Sequence, residues 1–241
     1  ISKKKIVIYG TSGSGKSYVS SLITKYISDE LKMNLALLDM DIENPSIDIY
    51  NNVDKIADGL NLIVEDLDRK LSIDDSIEKY MIRDKSNKNL WYMTNNVSIF
   101  DMQNKLSYKY YSKIYDSILK KFDFEIIDLP SSPFLDVVPY SLSNCDNIFF
   151  VLNPNYSSIR QAIKYLELLS KLWSIPKSRI KLIVNKNQKD SLENRQIENL
   201  VVGYDIVLNI PYIKNIDSYI NGATSNINVD ISMNKVYQAI G

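Results

Sequence analysis

The stretch Gly10-Thr-Ser-Gly-Ser-Gly-Lys-Ser17 constrains this chain more than any other part of it. It follows the apolar run Ile6-Val-Ile-Tyr9. Immediately after it Val19, Leu22, Ile23, Tyr26, Ile27 and Leu31 recur at helical spacing. Strand, glycine-rich turn and helix start, in that order, form a phosphate-binding loop of pattern G-x-x-x-x-G-K-[ST]. Its glycines let the backbone wrap closely around an anion, which successive N–H groups and the helix dipole then stabilise. In such a loop Lys16 neutralises the β- and γ-phosphates and Ser17 Oγ ligates Mg²⁺. The expected cofactor-binding set is Gly10, Thr11, Ser12, Gly13, Ser14, Gly15, Lys16 and Ser17, with Tyr18 beside it.

The rest of the chain alternates in the same way. Leu35–Leu38, Leu90–Met93, Phe124–Ile127, Ile148–Leu152, Ile180–Val184 and Ile206–Leu208 are short apolar runs, several of them apolar throughout. Strands covered on both faces of a parallel sheet have that composition. A second helical stripe runs through Ile159, Ala162, Ile163, Leu166, Leu169 and Trp173. The pattern predicts βαβ units, hence an α/β fold: a three-layer, doubly wound, mostly parallel sheet with helices on both faces. Residues 53–85 are the most charged region, and Ile56, Leu60, Ile63 and Leu67 predict helices outside the sheet there. No Pro/Gly linker divides the chain, so residues 1–241 are expected to form a single domain. The start at Ile1 rather than Met suits a piece of a protein with a further domain upstream.

Composition narrows the chemistry. The chain has 241 residues, one cysteine (Cys145) and no histidine. Without histidine there is no Ser-His-Asp or Cys-His nucleophile, no His-ligated zinc and no histidine pH switch. Carboxylates, lysines, hydroxyls, backbone groups or a bound metal must do the work. With 29 Lys+Arg against 29 Asp+Glu, the balance disfavours a strongly basic nucleic-acid binder. No apolar run reaches the roughly 18 residues of a membrane span. A phosphate loop needs carboxylates at neighbouring strand ends, and three are in place: Asp39 and Asp41 after the second strand, and Asp128 ending Phe124–Ile127.

These segments together resemble the MinD/ParA group of P-loop ATPases, nearly end to end. Leu37-Leu-Asp-Met-Asp-Ile-Glu-Asn-Pro-Ser-Ile-Asp48 has the spacing of that group's switch I. Ile126-Ile-Asp-Leu-Pro-Ser-Ser132 resembles its Walker B and switch II segment, and Asn153-Pro-Asn-Tyr-Ser-Ser-Ile-Arg160 its "NPexsSvR" turn. Val184-Asn185, Ile210-Pro211 and Ile220-Asn-Gly222 resemble the base-reading strand end, the "IP" before the base loop and a late glycine segment. The resemblance implies ATP and Mg²⁺ as cofactors. It implies that Lys16 and Asp41 are catalytic, with Asp41 orienting the attacking water. Asp39 and Asp128 would join Ser17 around Mg²⁺, and Asn185 and Pro211 would contact the base. It further implies a homodimer.

One position departs from the pattern. The group's loop reads K-G-G-x-G-K-[ST], and its first lysine reaches the partner's phosphates across a nucleotide-sandwich dimer. Thr11 stands there. Without that charge, hydrolysis is expected to be slow. Loss of this lysine resembles the TadZ/CpaE pilus-assembly branch. That likeness implies a cytoplasmic ATPase at the inner face of the membrane or a cell pole, which positions a cell-envelope, pilus or secretion machinery through protein partners.

Three other readings stay open. A septum-positioning or DNA-partition ATPase would need a basic amphipathic tail or a basic face. Ile231–Gly241 carries one lysine and suits a core-packing helix better. Lys177, Arg179, Lys181, Lys186 and Lys189 suit a solvated rim. A tyrosine autokinase would carry a tyrosine-clustered tail, whereas only Tyr237 lies near the end and Tyr108, Tyr110, Tyr111 and Tyr115 suit helix packing. A nucleotide-dependent scaffold with negligible hydrolysis would keep the loop and do without the lysine.

Overall fold

The apolar runs become strands of one eight-stranded sheet, in the order β3-β4-β2-β5-β1-β6-β7-β8. The computed structural model describes residues 3–53, 59–95, 108–216, 218 and 231–240. The strands are β1 (Lys4–Gly10), β2 (Leu35–Asp39), β3 (Ile82–Arg83), β4 (Leu90–Met93), β5 (Phe124–Asp128), β6 (Asn147–Leu152), β7 (Ile180–Asn187) and β8 (Asp205–Pro211). All neighbours pair in parallel except β3, which runs antiparallel to β4 at the edge. That edge strand falls in the charged region, which the sequence pattern gave to helices alone. Two residues are too short a run to show strand periodicity.

Alternation along each strand sorts the core into two layers. Val7, Tyr9, Ala36, Leu38 and Ile127 face one side. There they meet α3 (Gly59–Asp68), α4 (Tyr108–Lys121), α5 (Val137–Ser143), α6 (Tyr156–Glu167) and α7 (Asn194–Leu200). Ile6, Ile8, Leu35, Leu37, Phe124 and Ile126 face the other side, against α1 (Lys16–Leu31), α2 (Ile47–Tyr50) and α8 (Asn234–Ile240). Period-2 strands with helices on both faces give the three-layer, doubly wound architecture that the sequence predicts.

Leu60, Ile63 and Leu67 of α3 are buried in the first layer, so this helix covers the sheet. Ile56 and the Ile220–Gly222 segment lie outside the described residues. Met233, Val236 and Ile240 are buried against the second layer, as a core-packing last helix requires. In α4, Tyr111 and Tyr115 are buried, and the Tyr110 hydroxyl donates to Asp68. These tyrosines are packing residues. The second helical stripe continues past α6 as a π-type turn, Leu168–Leu172.

β1 lies at the centre, between β5 and β6. From β1 the chain winds first toward β2 and later toward β6, β7 and β8. The carboxyl end of β1 is therefore the topological switch point, where open α/β sheets bind ligands. Among the described residues no helix is long and apolar enough to cross a membrane.

Candidate nucleotide-binding site

The glycine-rich loop sits at that switch point because only small residues fit its path. Gly10 runs so close to β6 that a Cβ there would meet the Val151 carbonyl at 2.1 Å. Gly15, which caps α1, has φ of +84°, and a Cβ on it would sit 2.6 Å from Asn185 Nδ2. The left-handed turn aims the open N–H groups of a 16-residue helix at the loop's interior.

Three strand ends bring the charged groups together. Asp128 closes β5, and the register sets Asp39 of β2 directly beside it. Ser17 Oγ donates to Asp128 Oδ2 at 2.5 Å, and Ser20 Oγ donates to Oδ1 at 2.7 Å. Lys16 Nζ donates to Ser131 Oγ at 2.5 Å, three residues beyond Asp128. Asp39 pins the following loop: its Oδ2 accepts from the Ser46 and Ile47 N–H groups at 2.8 and 3.0 Å, and Oδ1 from Asp41 N at 3.2 Å. Asp41 Oδ1 accepts from Glu43 N and Asn44 N at 3.1 and 3.0 Å, an Asx-type turn.

Burial first, and then the charge of Asp128, push Asp39 well above the ordinary carboxylate range. Burial also raises Asp128, opposed by the Lys16 charge and the Ser17 and Ser20 hydroxyls. Two adjacent carboxylates that resist ionisation together are relieved by a cation placed between them and Ser17. The donors fit Mg²⁺: hard oxygens from two carboxylates and a hydroxyl, with the remaining positions left to water and phosphate. Among the described residues no group of three carboxylates forms an all-protein cation cage, which such a shared shell does not need. Lys16 and the helix N-terminus likewise fit a phosphate chain.

Thr11 is fully buried and turned inward. Its N–H donates to the Val151 carbonyl at 3.1 Å, and its hydroxyl pairs with Ser158 Oγ at 2.9 Å. Ser158 Oγ also accepts from Asn153 N, and Asn155 caps α6 by accepting from Ser158 N. The "NP" turn thus fastens the loop from β6. The expected cofactor-binding set includes Thr11, whose hydroxyl here is held by Ser158. Ser12 and Gly13 are exposed at the tip, and Ser14 is buried.

Beside the loop lies a cavity of about 200 Å³, lined among others by Tyr18, Tyr50, Asn185, Lys186, Pro211 and Tyr212. Such a volume is below that of a typical drug-sized site and suits one ring system with its tail outside. The expected base contacts Asn185 and Pro211 both line it, as does Tyr18. Asn185 is 3% exposed and holds the loop, its Nδ2 donating to the Ser14 carbonyl at 2.7 Å.

Ser131, Ser20, Ser158 and Lys186 carry contacts that the motifs did not assign. Ser131 and Ser158 lie within the quoted Walker B and "NPexsSvR" segments and Lys186 follows Asn185 near the end of β7, so only Ser20 stands outside every motif. The basic residues do not form one face. Lys177 and Arg179 lie before β7 and bond backbone carbonyls, Lys181 pairs with Asp205, and Lys186 lies at the other end of the strand.

No protein-family model matches the sequence, and no curated protein matches it either. Solved structures do match in fold. A ParA family ATPase from Chlorobium tepidum superposes with TM-score 0.82 at 18% identity, over 100% of this chain and 98% of that one. A septum site-determining protein MinD with Mg-ADP, from Pyrococcus horikoshii, gives 0.71 at 17%, over 90% and 84%. A plasmid partition protein from Borrelia burgdorferi bound to AMPPNP gives 0.71 at 20%, over 99% and 96%. By superposition over 90–100% of its length, the chain has the fold of these MinD and ParA P-loop ATPases.

Proposed function

We propose that this protein is a Mg²⁺-dependent ATPase of slow turnover, acting as one unit over residues 1–241, which positions or assembles a cell-envelope, pilus or secretion machinery. The observation that carries the nucleotide reading is the convergence of Lys16, Ser17, Asp39 and Asp128 on one strand edge. The Mg-ADP and AMPPNP in two proteins of the same fold support adenine.

The residues divide the work. The N–H groups at the start of α1 take the phosphates, and Lys16 leaves Ser131 to neutralise them. Ser17, with Asp39 and Asp128, would hold Mg²⁺, which when bound would supply charge neutralisation to the phosphates. Asp41, steadied by two backbone donors, orients the attacking water. The base enters the cavity bounded by Tyr18, Asn185 and Pro211. Thr11 offers no cation to a partner's phosphates, and a cation in trans is worth roughly 10³–10⁵ in rate. Slow hydrolysis follows. The homodimer is held by contacts other than this lysine.

The setting is the cytoplasm, at the inner face of the membrane or a cell pole, with protein partners rather than DNA. The dispersed basic residues favour this over partition on DNA. Thr11 at the place of the signature lysine favours the TadZ/CpaE-like branch over septum positioning. The buried Thr11 also favours a second reading, a nucleotide-dependent scaffold that hardly turns over.

Mg-ATP hydrolysis under saturating ATP separates the two. The ATPase reading expects wild-type turnover that Asp41→Ala abolishes while ATP binding persists. Turnover at background in both proteins, with ATP bound, establishes the scaffold.

A further inference from the structure

The basic residues around β7 are scattered, but those at the amino ends of β4, β2, β5 and β1 are not. These four strands lie side by side, and the backbone links their starts in turn. Leu35 N donates to the Asn89 carbonyl at 2.8 Å, Asp123 N to the Asn34 carbonyl at 2.9 Å, and Lys4 N to the Asp123 carbonyl at 3.0 Å. Neighbouring strands stand about 4.8 Å apart, so the row spans about 14 Å. Lys88 lies just before β4, Lys32 before β2 and Lys121 before β5, and Lys4 opens β1. The phosphate loop is at the opposite, carboxyl edge of the sheet.

None of these four ammonium groups has an ion pair or hydrogen bond among the described residues. The carboxylates of the same edge are turned inward. Asp123 accepts from Asn34 N at 3.0 Å. Asp84 accepts from the Ser86 and Asn87 N–H groups at 2.8 and 2.7 Å and from the Tyr92 hydroxyl at 2.6 Å. Asp29 accepts from Asn87 Nδ2 at 2.9 Å, and Glu30 lies toward Tyr237. In a chain whose charges balance, this edge carries an unanswered positive row. Helix C-termini favour cations, which accounts for Lys3, whose Nζ donates to the Leu119 and Lys120 carbonyls of α4. Lys120 is answered by Asp74. Neither reason reaches Lys88, on the turn from β3 to β4, or Lys4, within a strand.

We infer that this amino edge is a docking surface for an anionic lipid bilayer, with Lys4, Lys32, Lys88 and Lys121 facing the headgroups. The inference rests on the membrane setting proposed above and is independent of nucleotide. A row of sheet-edge loops presents a shallow surface, as a bilayer does, whereas single-stranded nucleic acid is held in a groove with stacking rings. A lysine ammonium is a compact, strongly hydrated charge that suits a diffuse anionic surface, and a guanidinium fork suits a fixed phosphate. Arg83, the arginine next to the β3–β4 turn, is used internally. Its Nε donates to the Lys88 carbonyl at 2.8 Å, and its guanidinium lies 5.4 Å from the Trp91 ring centroid. The half-buried Trp91 adds an amphipathic ring of the kind that settles at headgroup level. In this orientation the carboxyl edge, with its phosphate loop, points away from the lipid and stays open to ATP and to partners.

Vesicle flotation at low salt tests this, with phosphatidylcholine alone and with about one-third phosphatidylglycerol added. The proteins are wild type, the edge variant Lys88→Gln/Lys121→Gln, and Lys164→Gln/Lys189→Gln, which changes net charge equally elsewhere. All four side chains are exposed, so the fold is kept. A lysine near an anionic surface is worth about fivefold in partitioning. The edge variant should therefore bind anionic vesicles about 25-fold more weakly, and the other double variant within about twofold of wild type. Wild type should not float with phosphatidylcholine alone. Equal loss in both double variants overturns the inference, because net charge alone then sets binding. Anionic binding that survives in the edge variant overturns this surface and keeps the membrane setting. A wild type that binds no vesicle overturns both and leaves the ATPase reading to its own assay. Tighter binding to a DNA duplex of about 20 base pairs than to the vesicles, lost in the edge variant, makes the edge a nucleic-acid surface instead.

Discussion

β5 carries two fully buried carboxylates, one near each end and on opposite faces of the sheet, and their surroundings could hardly differ more. Asp128, at the carboxyl end, accepts two hydroxyls from α1 and has Lys16 and Asp39 nearby. Glu125, three residues earlier, has no hydrogen bond to either oxygen, and Lys5 Nζ stands 4.0 Å away. The Lys5 ammonium also lies 4.9 Å from the Tyr115 ring centroid. Burial dominates at Glu125 and raises it well above the ordinary range. The difference separates a carboxylate wired to exchange partners with a ligand from one that burdens the fold. An uncompensated polar group in the interior costs stability, whereas a bonded one costs little.

The comparison can be broken most sharply at the rim. Lys16→Ala removes the charge on the phosphates, and ATP affinity is expected to fall at least about 100-fold, the worth of a buried charge-assisted contact. Calorimetric titration checks it. Asp128→Asn comes next. It relieves the repulsion with Asp39, so unfolding without nucleotide should occur at the same or higher denaturant concentration. The tightening of ATP by Mg²⁺ should vanish. A variant that loses stability yet keeps its Mg²⁺ dependence would dissolve the contrast.

Ser158→Ala strips Thr11 Oγ1 and Asn153 N of a buried partner and should cost about 1–3 kcal/mol of stability in denaturant melts. Glu125→Gln is the smallest and opposite case. A carboxyl raised in the folded state binds its proton more tightly there than when unfolded. Its stabilising effect is present at low pH and is lost as pH climbs above the ordinary range near 4.3. Asp39 and Asp128 add to the same trend. Glu125→Gln should therefore flatten the decline of stability above about pH 4.3 and leave ATP affinity unchanged. A steeper decline, or weaker ATP binding, would make Glu125 part of the site.

The rim was legible in the sequence because its parts are fixed by local chemistry. A loop that must bring backbone against Val151 has to be glycine at Gly10. Strands covered on both faces have to be apolar, so Leu35–Leu38 and Phe124–Ile127 announce the strand ends that carry Asp39 and Asp128. Other features depend on contacts far apart along the chain. Nothing near Thr11 says that Ser158 waits 147 residues away. Glu125 looks like the polar member of an alternating strand, and its burial depends on α4 closing over it. The two-residue β3 has too little pattern to detect.

Calorimetric titration of ATP into wild-type protein, with Mg²⁺ and then with a chelator, tests most directly whether the ends of β1, β2 and β5 form a Mg-ATP site. Saturable binding that weakens at least about tenfold when Mg²⁺ is removed is the expected result, since Ser17, Asp39 and Asp128 would then face the phosphates without their cation. No binding, or equal affinity with and without Mg²⁺, would contradict it.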